Sequence, residues 1–173
     1  MLTKINRLLN FPYILRIRRN HALEHATMQV LAQKNPHQAV AGYSDAEGFS
    51  IIGSVSTDDL QAAVNEALAR LKAGEHGLAI HPHCGTNYVA SGLVAGGLAW
   101  LAMSRSSGGL FKRLERLPVV VMMVTLGSML AQPLGPWLQA RVTTQADIGD
   151  LQVVSITRFQ RQEAPMHKVR TAG

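Results

Sequence analysis

From Pro12 to Lys34 the chain holds no helix breaker after its first residue, and inside this run two histidines stand four apart with a carboxylate directly before the second: His21-Ala22-Leu23-Glu24-His25. Proline suits a first helical turn and Asn35-Pro36 closes the run, so the pattern predicts a single helix. At about 100° per residue, His21, Glu24 and His25 share a sector of about a third of a turn with Ile14, Ile17, Met28 and Ala32. Arg16, Asn20, Thr27 and Lys34 take the other side. A fold that buries the apolar stripe therefore buries three polar groups that need partners. One metal ion would satisfy all three.

His-x-x-Glu-His reverses the His-Glu-x-x-His order of many zinc hydrolases. Two imidazoles one turn apart can reach one Zn²⁺ at about 2.0–2.1 Å, and the glutamate between them is held where it can take a proton from a water nucleophile. Without a metal, the same residues read as hydrogen-bonded packing histidines, with Glu24 a partner for Arg18 or Arg19. A catalytic zinc takes three protein ligands, and His81-Pro82-His83-Cys84 is where the third is expected. His81, His83 and Cys84 are the candidates, and His81 and Cys84 lead because each adjoins a regular element. A His-Pro turn capping the next helix is the alternative. Glu66, Glu75 and His76 are weaker; the charged face that holds Glu66 is explained by solvation.

Composition limits the partners. The net charge of +6 raises the question of nucleic acid, but aromatic residues are only 5% and the basic residues flank apolar segments. Anionic lipid is the better counterpart. The single cysteine excludes an intramolecular disulfide framework, and no cleavable signal peptide is apparent at the start.

Residues 2–9 alternate apolar and basic groups, as in a short amphipathic helix on a membrane surface. After the motif helix, Gln38 to Ser56 reads as a β-hairpin around Ser44-Asp45-Ala46-Glu47-Gly48. Thr57-Asp58-Asp59 opens a helix with Leu60, Val64, Ala67, Leu68 and Leu71 inward, closing at Gly74. Gly77 to Ile80 reads as a short strand. Tyr88–Met103 and Leu117–Leu138 are apolar runs of membrane-spanning character, with Gly92 and Gly96 spaced for close helix packing and oligomer contact, Trp137 as an interfacial anchor, and Gln132, Pro133 and Pro136 marking a kinked or early-ending second half of the later run. Residues 104–116, with Arg105, Lys112, Arg113 and Arg116, would link them. Leu151–Phe159 reads as a strand returning to the sheet, and the residues from Gln160 onward as a disordered tail.

The expected architecture is α+β: a soluble domain over residues 1–86, a transmembrane helical hairpin over 87–139, and a C-terminal strand and tail over 140–173. With no export signal, the soluble part is placed in the cytoplasm, at a bacterial inner membrane crossed more than once. The basic loop at 104–116 opposes that sidedness, and Lys4, Arg7, Arg16, Arg18 and Arg19 favour it by facing an anionic inner leaflet.

The order of motif helix, turn-rich hairpin and a helix opening Thr-Asp-Asp-Leu resembles the start of insulinase- or pitrilysin-type zinc peptidases, over residues 20–72. That resemblance implies His21 and His25 as ligands and Glu24 as catalytic base. Taken whole, His-Ala-Leu-Glu-His-Ala with a later His-Pro-x-Cys-Gly-Thr-Asn is similar to an uncharacterised bacterial membrane-protein family, from which no activity carries over. The expected function is a membrane-anchored zinc-dependent hydrolase acting on a peptide or protein. The rival is a non-catalytic membrane interaction protein whose His/Glu cluster is a structural metal site or a polar network.

Overall fold

The computed structural model describes residues 2–104, 109, 111, 114–160 and 165–173, with side chains from Asn6 onward. The chain divides into two compact units, one made of Met1–His81 with Gln139–Gly173 and the other of Pro82–Leu138.

In the first unit, α1 (Leu2–Leu9) leads into α2 (Pro12–Lys34), which carries the motif. Proline at the N-terminus and Asn35 at the C-terminus bound α2, and the Asn35 N–H reaches Leu31 O at 2.8 Å. The hairpin strands are β1 (Ala41–Asp45) and β2 (Gly48–Ile52), joined by the two-residue turn Ala46-Glu47, after which Gly48 opens β2 with φ +147°. That glycine is required twice over, since a Cβ there would also lie 2.0 Å from Val169 O. Next comes α3 (Thr57–Lys72), capped by Ser56, whose Oγ accepts the Asp59 N–H at 3.0 Å. Asp58 and Asp59 lie in its first turn and Arg70 and Lys72 in its last, each matching the helix dipole.

The sheet is antiparallel with order β1-β2-β4-β3, where β3 is Gln152–Gln160 and β4 is Pro165–Ala172. Phe49 and Ile51 of β2 and Val169 of β4 join Leu23, Leu31, Leu60, Leu71, Ile148 and Leu151 in one core between the sheet, α2 and α3. His167 is fully buried on the same strand face as Val169. Burial, assisted by the positive Arg158, pushes its pKa below the ordinary histidine value.

Three expectations need correction here. The strand expected at Gly77–Ile80 is a 3₁₀ turn, His76–Ala79, because the backbone closes on itself through Leu78 N–H to Glu75 O. The tail expected to be disordered from Gln160 onward contains β4, paired on both sides, while Arg161–Ala164 lie outside the described residues. The motif helix is also buried on more sides than its stripe implies. Asn20 and Thr27, assigned to the polar side, are fully buried: Asn20 Nδ2 donates to Asp45 O at 2.8 Å and Thr27 Oγ1 to Leu23 O at 2.8 Å.

The second unit holds α4 (Gly85–Ser104), α5 (Leu117–Ala131) and α6 (Leu134–Leu138). The two apolar runs are helical and α4 packs on α5, but the transmembrane hairpin is overturned. Among the described residues no single helix is long and apolar enough to cross a membrane, and only the bent pair Leu117–Ala131 with Leu134–Thr143, turned by 45°, has the length and composition when joined. The reasons are local: α4 opens on Gly85, Thr86 and Asn87, and α5 stops where Gln132 and Pro133 follow. The close approach of α4 and α5 falls at Gly127, where a Cβ would meet Leu98 Cδ1 at 2.1 Å, whereas Gly92 and Gly96 meet nothing within 4 Å. Most of the basic 104–116 link, including Arg105, Lys112 and Arg113, lies outside the described residues.

Candidate metal centre

Helix α2 sets His21 and His25 one turn apart with ring centroids 4.2 Å from each other. Each ring is fixed by a backbone carbonyl: His21 Nδ1 lies 3.0 Å from Thr143 O, and His25 Nδ1 lies 2.7 Å from Ala79 O. A carbonyl oxygen only accepts, so both Nδ1 atoms carry the proton, and Nε2 is the nitrogen of each ring left to bind a metal. This is the usual arrangement of a metal-ligating histidine, with the second nitrogen anchored to a carbonyl.

A catalytic zinc takes three protein ligands; these imidazoles supply two, and Cys84, one of the residues expected to supply the third, is a buried cysteine of the second unit. Two imidazoles and a thiolate are borderline-soft donors suited to Zn²⁺, and three protein ligands leave a fourth position.

His81 is partly buried with its ring 5.6 Å from that of His25, and His83 is exposed. Glu66 pairs with Lys34 at 2.7 Å and with Arg70 at 3.5 Å, and the hydrogen bond from Lys34 is the main cause of its lowered pKa. Glu75 pairs with Arg70 at 2.7 Å, and His76 is exposed on the 3₁₀ turn.

Glu24 is 3% exposed and lies against β1, where a Cβ on residue 42 would come within 2.5 Å of its Oε1. Gly42 is thus what lets the strand run past the carboxylate. Both arginines considered as its partners are engaged elsewhere. Arg18 donates to Leu9 O, Arg141 O and Thr144 O at 3.2, 3.3 and 2.9 Å, and burial lowers its pKa from the ordinary guanidinium value. Arg19 donates to Asp147 O and to Asp150, each at 3.3 Å.

Four residues that frame the centre carried no sequence signal: Ala79 and Thr143, whose backbone carbonyls anchor the imidazoles, together with Gly42 and Gln139. Gln139 is fully buried, accepts the His81 N–H at 2.8 Å through Oε1, and donates through Nε2 to His81 O at 3.1 Å.

An uncharacterized protein of the cyanobacterium Picosynechococcus sp. is 42% identical over 101 residues, covering 51% of this chain and 49% of the relative. The chain thus spans about half the length of that curated relative. No solved structure matches, and nothing in these comparisons links the chain to insulinase-type zinc peptidases, so that resemblance does not extend beyond the motif. The family described as "Domain of unknown function (DUF6391)" matches residues 16–156, from the motif helix through β3, and the chain belongs to it.

Proposed function

We propose that this protein is a zinc-dependent hydrolase held at a lipid surface, with His21 and His25 as ligands, a residue of the 81–84 loop as the third, and Glu24 as the general base. The observation that carries the zinc reading is the pair of Nδ1 anchors at Thr143 O and Ala79 O, which leave Nε2 as the metal-binding nitrogen of two rings one helical turn apart. A zinc ion bound there would act as a Lewis acid toward a carbonyl, amide bonds being the default substrate for this ligand and base set. The protein's own part is to hold the imidazoles in one tautomer, to keep the site largely dry, and to receive a proton on the Glu24 carboxylate. Glu24→Gln is the direct test on full-length protein with a panel of amide and ester substrates. The variant is expected to keep wild-type zinc and melting behaviour while hydrolysis falls by about 10²–10⁴-fold. Loss of stability with no hydrolysis in either protein would favour the rival, a structural His/Glu network.

The lipid part of the reading rests on the second unit. Leu93 and Trp100 are each 72% exposed and Leu130 is 79% exposed, alongside Val121, Met122 and Trp137. Apolar side chains emerging around both helices make a surface larger than a freely soluble monomer usually shows. Contact with lipid along these helices requires neither of them to cross. The protein is expected to float with vesicles containing anionic lipid, and Leu93→Gln with Trp100→Gln to weaken flotation. Wild-type protein that stays with the aqueous fraction, monodisperse and without detergent, removes this part of the reading.

A further inference from the structure

Residues Gln139–Thr143 form a π-helical turn, confirmed by the Thr144 N–H reaching Gln139 O at 3.0 Å, five residues back. Such turns are rare and cluster at functional sites. The wide turn leaves its last carbonyls pointing outward, where a helix end needs external donors. Two of those donors come from α2: Arg18 to Arg141 O and Thr144 O, and His21 Nδ1–H to Thr143 O. Arg18 also accepts the Gln145 N–H on its own carbonyl at 3.0 Å. The turn is therefore registered against the motif helix from both directions.

Its first residue reaches the other way. The Gln139 amide makes a two-point clamp on the backbone of His81, donating to the carbonyl and accepting from the N–H of the same residue. The Gln139 carbonyl is in turn held by Thr144 Oγ1 at 2.8 Å. Two residues before His81, Ala79 O receives the His25 imidazole. One short turn thus orients His21 through Thr143 and fixes the backbone that follows the acceptor of His25.

We propose that Gln139 is a positioning residue of the metal centre: its clamp on His81 fixes the 79–81 backbone against α2, and with it the Ala79 carbonyl that orients the His25 imidazole. The proposal rests on the zinc reading above and adds a determinant of affinity that touches no metal. A side-chain amide supplies both a donor and an acceptor, which lets Gln139 hold the N–H and the C=O of one residue at once. Outer partners of this kind are worth about 10–100-fold in metal affinity.

The test is zinc titration and the Co²⁺ absorption spectrum of the full chain as wild type, Gln139→Ala, Gln139→Glu and Val64→Ala. Val64 is fully buried in α3, so its truncation destabilises the same unit through a cavity without touching the clamp. Gln139→Ala is expected to weaken zinc binding by about 10–100-fold and to shift the ligand-field bands. Gln139→Glu keeps the acceptor for the His81 N–H but loses the donor, so it is expected to fall in between, and it carries the test where Gln139→Ala fails to fold. Val64→Ala is expected to bind zinc as wild type does. Wild-type affinity and spectrum in both Gln139 variants overturn the proposal, as does equal weakening in Val64→Ala. A wild type that binds no zinc overturns the metal reading itself, and this inference with it, so the two failures are told apart.

Discussion

Removal of residues 161–173 is expected to unfold the sheet-bearing unit. The segment contains β4, which pairs β2 along Gly48–Ile52 on one side and β3 along Gln152–Gln160 on the other. Without it β3 loses its only partner in the four-strand order and the hairpin is left as two strands, a size that is marginal in water. The inward side chains His167 and Val169 leave the core as well. A subtler version is Val169→Asp, which puts a carboxylate at a fully buried position and is expected to cost roughly 4 kcal/mol or more, a large part of a typical domain's 5–15 kcal/mol. Circular dichroism and urea melts decide the matter. A truncated chain with wild-type strand signal and midpoint would show that β4 is not central.

The second large effect is chemical. His21→Ala combined with His25→Ala is expected to take zinc in purified protein from about one equivalent to none, because it removes both nitrogen donors of the motif helix and one ligand does not hold the ion. His21 is partly exposed and His25 is 2% exposed, so the single variants separate the contributions. His25→Ala opens a void beside Ala79 O and leaves that carbonyl without its imidazole donor, so it is expected to destabilise as well as to lose metal. His21→Ala is expected to lose metal at smaller cost to the fold. Metal analysis after gel filtration is the measurement, and equal zinc in wild type and double variant would dismiss the centre.

The local elements were legible wherever one residue type has one physical use. Pro12 and Asn35-Pro36 marked α2, Asp45-Ala46-Glu47-Gly48 marked the hairpin, and Thr57-Asp58-Asp59 marked the start of α3, one residue after its actual cap, Ser56. β4 escaped because two of its three inward residues, His167 and Thr171, are polar, so the alternation His-Lys-Val-Arg-Thr reads as a solvated tail until the buried side is seen. The apolar runs were legible as helices, and Gln132 and Pro133 as an early end within the second, but the reading of both as membrane spans gave them more length than the helices have. At the centre, the helical spacing of His21 and His25 sufficed to place them together. The Nδ1 anchors lie 122 and 54 residues away in sequence and are backbone atoms, which no side-chain pattern can reveal.

The strand order also sets a timetable for synthesis. β2 is complete at Ile52 but its inner neighbour β4 begins only at Pro165. At the ordinary pace of a ribosome, about 5–20 residues per second, roughly 5–20 s separate the two. During that interval the nascent hairpin displays an open strand edge, and the apolar helices α4 and α5 emerge before the sheet can close. Whatever receives those helices acts on a chain whose first unit is still unfinished, and the histidine pair gains its Thr143 anchor only after they have passed.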